Sequence, residues 1–182
     1  MLNPWITTYT GKKFHIFNPV TEEVDIEDIA HALGMQTRFN GHGKHFYSVA
    51  QHCIMVSLLV PQHLKFAALL HDAAEAYIGD IVAPLKHSLT IIQPIESRIM
   101  EVIGRKFGVT YDELNDPMLK ALDRSMALSE AQFLGIEFEG WYEADTVKPI
   151  SNLKLQNALP PEEAKSLYLE TFEDLTKQPE PI

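Results

Sequence analysis

The chain contains little cysteine, few basic side chains relative to acidic ones, and no long apolar run. Its 182 residues include one cysteine, Cys53, so an internal disulfide and a thiolate zinc cluster are excluded and a reducing compartment is favoured. Lysine and arginine together number 15 against 25 acidic residues, which gives a formal charge of −10. This balance argues against binding to a nucleic acid polymer, because such binding needs a basic surface. It is compatible with one small anionic ligand in a locally positive pocket.

Signals for membrane insertion and secretion are also lacking. The longest nearly apolar stretch, 54–60, is far shorter than the roughly 20 residues that cross a bilayer. The sequence starts Met-Leu-Asn-Pro-Trp, without the basic region and apolar block of a signal peptide. We therefore expect a cytoplasmic protein that has no membrane partner.

Helical periodicity extends over most of the chain and predicts a mainly α protein. Domains commonly have roughly 100–200 residues, so one domain is expected. The first residues alternate weakly around Thr10-Gly11, which predicts a short N-terminal β-hairpin. We expect a single all-α helical bundle over 1–182 with this hairpin, an irregular cover over 135–160 and a last helix over 161–177.

A few residues predict where individual helices begin and end. Asp25 is expected to cap the first helix and Gly34 to end it. Ser48 begins a capping-box pattern and predicts the start of a second, strongly apolar helix. A further continuous helix is expected from about residue 62 to residue 77.

Polar residues with metal-ligand chemistry lie within these apolar helices. The pair His71-Asp72 follows a strongly apolar segment, and Glu75 comes about one helical turn later. His52 and Asp123 are also flanked by apolar residues, each in its own predicted helix. Because a buried charge without a partner is costly, these side chains need partners.

Two interpretations of these residues remain open on their spacing alone. Imidazole and carboxylate groups are usual ligands of a catalytic divalent metal. A histidine on an apolar helix is, however, often only a hydrogen-bonded core residue, and an aspartate late in a helix can have a local electrostatic role. Spacing does not show whether the side chains meet.

The wider pattern resembles that of a known enzyme family. His52, His71-Asp72 and Asp123 occur in the order H…HD…D, which resembles the HD-domain metal-dependent phosphohydrolases. Segment 71–86 reads HDAAEAYIGDIVAPLK and is similar to H-D-A-x-E-x-x-x-G-D-x-x-x-P-x-K. That pattern is found in YfbR-type bacterial 5′-deoxynucleotidases and in phage dATP triphosphohydrolases. The resemblance covers roughly residues 1–135.

The resemblance implies a divalent metal centre with two catalytic acids. The implied metal ligands are His52, His71, Asp72 and Asp123, and the ion is expected to be Co²⁺, Mn²⁺, Zn²⁺ or Mg²⁺. Such an ion lowers the pKa of its water from about 15.7 to about 7 and polarises a phosphoryl oxygen. Glu75 would orient or deprotonate the attacking water. Asp80 would protonate the leaving 5′-oxygen or hold a second metal.

The resemblance also implies a set of substrate-binding residues. These are Arg38, Phe39, Ile81, Lys86 and Lys120. The basic members would offset the phosphate charge, and arginine can do so through two parallel hydrogen bonds. Phe39 stands at a base-stacking position that is often tryptophan in the relatives. Stacking therefore stays plausible, and base selectivity stays open.

The expected function is hydrolysis of 2′-deoxynucleotide 5′-phosphates by a homo-oligomer. The favoured substrate is dATP, with dADP and dAMP also considered, and the products are deoxyadenosine and phosphate or polyphosphate. One alternative is a 5′-deoxynucleotidase of broad base specificity that acts on monophosphates. Others are a non-catalytic nucleotide-binding module and the same metal site acting on another phosphoester.

Other polar and aromatic residues are assigned ordinary structural roles. His42 and His45 are expected in a polar loop near the mouth of the pocket, and Cys53 is expected in the core. Trp141-Tyr142 is expected to cover part of the core. The acidic run from 137 to 145 is expected to form a solvated surface or a mobile cover.

Overall fold

The structure is a computed structural model that describes residues 3–151, 153 and 158–177. The predicted hairpin is present but short: strand β1 (Ile6–Thr7) pairs antiparallel with strand β2 (Lys13–Phe14). Phe14 is buried and its ring stacks on that of Tyr77, with centroids 3.6 Å apart. The hairpin is thereby attached to the helical core.

Helices form most of the remaining described chain, as the sequence predicts. They are α1 (Ile26–Met35), α2 (Val49–Leu59), α3 (Lys65–Leu70), α4 (Glu75–Ile78), α5 (Ala83–Ser88), α6 (Ile92–Phe107), α7 (Tyr111–Leu114), α8 (Pro117–Leu134), α9 (Tyr142–Thr146) and α10 (Pro161–Lys177). Single turns of 3₁₀-helix cover Thr21–Glu23 and Gln62–Leu64, and Arg38–Gly41 form a tight turn with left-handed dihedral angles at Phe39 and Asn40. None of the described helices is long and apolar enough to cross a membrane. The mainly α fold class is confirmed.

Helix α1 begins where predicted but ends later. The side chain of Asp25 accepts a hydrogen bond from the amide of Glu27, so Asp25 is the N-cap. Gly34 does not end the helix, which continues to Met35. A Cβ atom on Gly34 would lie only 3.0 Å from the carbonyl oxygen of Pro161. Gly34 therefore allows the close approach of α1 to α10, rather than terminating α1.

Helix α2 is the central helix of the core. Its N-cap is Ser48, whose hydroxyl accepts from the amide of Gln51, as the capping pattern predicts. The helix packs against α1, α3, α8 and α10, and His52 and Cys53 are both fully buried. The side chains of α2 therefore face neighbouring helices on almost every side.

The prediction of one continuous helix over 62–77 is wrong, because helix α3 ends at Leu70 and α4 begins at Glu75. Residues 71–74 form a tight turn in which the amide of Ala73 bonds the carbonyl of Leu70 and the amide of Glu75 bonds that of Asp72. The Nδ1 atom of His71 bonds the carbonyl oxygen of Ala68 at 2.7 Å. That oxygen is the acceptor that the amide of residue 72 would use in a continuing α-helix.

The predicted cover over 135–160 contains one short helix, α9. Helix α8 ends at Gly135, which has a left-handed φ of 69°, and the chain then turns back so that α9 packs against α8. Residues 152 and 154–157 of the expected cover lie outside the described residues. The last helix, α10, has the predicted bounds.

Candidate metal centre and substrate cavity

The four predicted metal ligands converge from three separate elements. His52 comes from α2, His71 and Asp72 from the turn after α3, and Asp123 from α8. The Nε2 atom of His52 lies 3.1 Å from Asp123 Oδ1 and 3.7 Å from Asp72 Oδ2. The Nε2 atom of His71 lies 3.3 Å from Asp72 Oδ2 and 3.6 Å from Asp123 Oδ1. Each imidazole therefore faces both carboxylates.

Hydrogen bonds at Nδ1 fix the orientation of both histidine rings. His71 donates from Nδ1 to the Ala68 carbonyl, because a carbonyl oxygen can only accept. His52 Nδ1 lies 2.8 Å from a carboxylate oxygen of Glu130 and donates to it. In a neutral ring with its proton on Nδ1, the lone pair is on Nε2, the atom that faces the two aspartates. This is the usual arrangement around metal-bound histidines.

One buried atom in the cluster is left without a hydrogen bond. His71 Nε2 is buried and has no hydrogen-bond partner among the described residues. Buried polar atoms normally have a partner, and in metal sites the partner is the ion. The donor set, two imidazoles and two carboxylates, also suits a divalent cation. The residues therefore fit a metal centre.

The histidines and aspartates of the cluster shift one another's pKa values in opposite directions. Burial lowers the pKa of His71, but the adjacent Asp72 and Asp123 carboxylates outweigh this effect and raise the pKa well above its usual value. Burial raises the pKa of Asp123, but the neighbouring His52 and His71 lower it well below the usual value. Protonated histidines thus compensate the carboxylates. A divalent ion would replace those protons.

Glu130, which was not predicted from the sequence, links His52 of the candidate metal centre to Arg38. It is fully buried in α8, and its carboxylate accepts from His52 Nδ1 at 2.8 Å. Its other oxygen accepts from Arg38 Nε at 3.2 Å and from Arg38 Nη2 at 3.1 Å. Glu130 follows Asp123 by seven residues, two helical turns, and so lies on the same face of α8. That spacing is the sequence signal that could have identified it.

The cluster lies at one end of a cavity of about 670 Å³. Asp72, Glu75 and Asp123 line the end that contains the metal cluster. The remaining walls come from the tight turn after α1, the segment from Asp80 through α5, helix α8 and the segment that leads into α9. These other walls contain both charged and apolar residues, so the cavity combines charged groups with apolar and aromatic surface.

The two predicted catalytic acids are held close to the metal cluster. Glu75 is buried, and burial, reinforced by Asp72 and Asp80, raises its pKa well above the usual value. Burial, with Asp72 adding to it, also raises the pKa of Asp80. The side chain of Gln36 spans the turn between these acids, since its Nε2 donates to the Glu75 carbonyl at 2.9 Å and its Oε1 accepts from the Asp80 amide at 3.1 Å.

Four of the five predicted substrate-binding residues line the cavity: Arg38, Phe39, Ile81 and Lys86. Lys120 is not among the described residues that line it. Arg38 forms an ion pair with Glu130 at 3.1 Å, and Lys86 forms an ion pair with Glu96 at 2.6 Å. The structure thus brings the two cations to the cavity but gives each an internal partner.

Phe39 and Trp141 both line the cavity, and only Trp141 departs from the sequence expectation. Phe39 has a left-handed φ of 53°, which is uncommon for a residue other than glycine and often marks a functional site. Trp141, expected over the core, lines the cavity with its ring centroid 6.0 Å from that of Phe39. His42 also lines the cavity, in agreement with its expected place near the mouth, whereas His45 is not among the described lining residues.

Comparisons with known proteins identify relatives over almost the whole chain. No family model matches the chain. It is 37% identical over 175 residues to the uncharacterized protein YfdR of Escherichia coli, and the match covers 95% of this chain and 96% of that protein. It is 30% identical over 158 residues to an uncharacterized protein of Rhodobacter capsulatus, covering 80% of this chain and 78% of the relative.

Proposed function

The chain belongs to the family of the uncharacterized Escherichia coli protein YfdR, and we propose that it is a metal-dependent phosphohydrolase of 2′-deoxynucleotides, of the HD-domain type. The observation that carries this proposal is the convergence of His52, His71, Asp72 and Asp123 at the end of a cavity. The buried Nε2 of His71, which forms no hydrogen bond, supports an ion at their centre.

The four converging side chains would hold one divalent ion. When bound, the ion supplies Lewis-acid polarisation of a phosphoryl oxygen and a water of lowered pKa. His52 and His71 would bind it through Nε2, because both Nδ1 atoms are engaged elsewhere. Asp72 and Asp123 would offset the charge of the ion.

Glu75 and Asp80 divide the proton transfers of the reaction. Glu75 orients the attacking water and takes a proton from it at a carboxylate oxygen. The raised pKa of Glu75 makes it a better base near neutral pH than an ordinary glutamate. The oxygen of the water forms a bond to the α-phosphorus, the bond from phosphorus to the 5′-oxygen breaks, and Asp80 protonates that oxygen. The products are a deoxynucleoside and phosphate or polyphosphate.

The lining residues of the cavity match the two parts of a nucleotide. The charged residues can bind phosphate, and a flat base can pack against the lining residues Phe39, Trp141 and Leu128. Aromatic side chains bind bases by stacking. The preference for deoxyadenosine and for dATP is part of the proposal and comes from the resemblance described above.

The test is product release from a panel of nucleotides with each candidate ion. The purified chain, stripped of metal and reloaded with Mn²⁺, Co²⁺, Zn²⁺ or Mg²⁺, is assayed on dATP, dADP, dAMP, other deoxynucleotides and ATP. We expect metal-dependent release of deoxyadenosine, abolished in His71→Ala and retained in His63→Ala, which changes an exposed histidine outside the cavity. Failure of every ion to support turnover of any nucleotide would refute the proposal. Thermal stabilisation by nucleotides without product would instead indicate a binding module.

A further inference from the structure

Three lysine and arginine residues line the cavity, and they differ in their partners. These residues are Arg38, Lys86 and Arg124. The first two pair with Glu130 and Glu96, respectively. Arg124 forms no hydrogen bond or ion pair with any residue in 3–151, 153 or 158–177. Its guanidinium is therefore available to a ligand.

Arg124 also differs from the other arginines of the chain. The sequence contains four. Arg38 binds Glu130, Arg98 donates to the carbonyl of Phe17, and Arg105 pairs with Glu101. Among these four arginines, only Arg124 is both exposed and a lining residue of the cavity. An arginine at a cavity mouth can bind an incoming anion without first breaking an internal pair.

Helix α8 contributes Arg124 to the wall of the cavity at an exposed position. Arg124 directly follows the ligand Asp123, and the next turn of α8 contributes Ala127 and Leu128 to the same wall. Lys120 is one turn earlier and is not among the described lining residues. The cation that helix α8 contributes to the cavity is therefore Arg124 rather than the lysine expected from the sequence.

The surrounding charges make a free cation important for a highly charged substrate. Five acidic residues line the cavity: Asp72, Glu75, Asp80, Asp123 and Glu143. A divalent ion offsets only the two aspartates that would bind it. A triphosphate carries more negative charge than a monophosphate and would be repelled by the other acids. A guanidinium can bind phosphate oxygens through two parallel hydrogen bonds.

We propose that Arg124 binds the phosphate groups beyond the one that is attacked, so that the cavity favours deoxynucleoside triphosphates over monophosphates. This inference rests on the proposed function and specifies its substrate. Arg124 acts as a substrate-binding residue at the mouth, whereas the α-phosphate lies at the metal end.

The first test compares dATP with dAMP in the unsubstituted chain and in Arg124→Ala, using the ion that supports turnover best. We expect kcat/KM for dATP to fall about tenfold or more, while kcat/KM for dAMP changes by less than about threefold. Arg105→Ala, which removes an exposed arginine outside the cavity, is the matched control and should leave both values unchanged. An equal loss on both nucleotides, or no loss on either, would overturn the inference.

The Lys120→Ala variant tests the alternative that Lys120 binds the distal phosphates. A selective loss on dATP in Lys120→Ala, but not in Arg124→Ala, would assign the distal phosphates to Lys120 and overturn the inference. Because Arg124 is exposed, circular dichroism and thermal unfolding of Arg124→Ala should match those of the unsubstituted chain.

Nucleotide binding provides a readout that does not need turnover. In a Glu75→Gln background, calorimetry should show that Arg124→Ala weakens binding of dATP about tenfold and leaves binding of dAMP within about threefold. If the unsubstituted chain hydrolyses no nucleotide, the proposed function fails, and the binding comparison still decides the role of Arg124. If hydrolysis occurs and Arg124→Ala changes neither the activity ratio nor the binding ratio, only the inference fails.

Discussion

At the scale of single residues, Glu130 determines the surroundings of both His52 and Arg38. Its carboxylate is fully buried, and burial of a charge is costly unless counter-charges and hydrogen bonds compensate it. The Nδ1–H group of His52 and the guanidinium of Arg38 provide both. In return, Glu130 directs His52 Nε2 toward the aspartates. One carboxylate thus positions a proposed metal ligand and a cavity cation together.

Glu130→Gln is expected to weaken metal binding while keeping the fold recognisable by circular dichroism. The amide preserves the shape but removes the charge that orients His52, and such outer partners typically contribute about 10–100-fold to metal affinity. Metal titration against a chromogenic chelator measures the change. Glu96→Gln, which alters the partner of Lys86 rather than that of His52, is the matched control. A folded Glu130→Gln protein with unchanged affinity would show that His52 is oriented by other groups.

At the scale of elements, the interruption after α3 positions His71 and Asp72 on one side of the candidate metal centre. The turn at 71–74 presents His71 and Asp72, and α4 then begins with Glu75. Gly79 reverses the chain with a left-handed φ of 85°, and Asp80 follows it. Gln36, from the end of α1, bonds the backbone on both sides of this reversal. The two acids therefore keep a fixed separation.

Gln36→Ala is expected to lower activity more than it lowers metal affinity. Loss of two hydrogen bonds to the backbone should reduce the free energy of unfolding by about 2 kcal/mol. It should also reduce kcat, since the acids are no longer held in place, while the four ligands stay unchanged. Urea unfolding, kcat and metal titration are compared with those of Gln93→Ala, which changes an exposed glutamine of α6. A kcat equal to that of the unsubstituted chain would exclude a positioning role for Gln36.

Local sequence signals predicted helix starts well but could not predict contacts between helices. Asp25 and Ser48 cap helices through their own side chains, so a few neighbouring residues suffice to identify them. The role of Gly34 depends on α10, which is distant in sequence. The interruption after Leu70 depends on a side-chain hydrogen bond that competes with the helical pattern.

In the candidate site, too, some residues could be predicted from the sequence, whereas residues that act through distant partners could not. The ligand set was predicted by resemblance, and the structure brings all four residues together. Glu130 and Gln36 act through partners 78 and 39 residues away, respectively, which periodicity does not reveal. The choice between Lys120 and Arg124 depends on the rotation of α8 about its own axis, which the sequence alone leaves undetermined.

At the scale of the whole molecule, the buried cluster connects the stability of the fold with metal binding. The charged side chains of helices α2 and α8 and of the turn after α3 face one another within the packed core. An ion that binds the folded chain and not the unfolded one stabilises the fold by mass action. The expected cytoplasmic location and self-association remain predictions.

Metal addition is expected to raise the melting temperature of the metal-free chain. At an ion concentration of 100 times Kd, the gain is about 2.7 kcal/mol, which for a chain of this size corresponds to roughly 5–10 °C. Differential scanning calorimetry with and without Mn²⁺ measures the shift, with His63→Ala as the control that should retain it. His71→Ala should show almost none. An equal shift in His71→Ala would place the ion elsewhere.

The most direct test of the account is an anomalous-difference map from crystals of the unsubstituted chain grown with Mn²⁺. We expect one strong peak within about 2.0–2.3 Å of Nε2 of His52, Nε2 of His71 and one carboxylate oxygen each of Asp72 and Asp123. A peak at other residues, or no peak at this cluster under saturating Mn²⁺, would contradict the assignment of these four side chains as a metal centre.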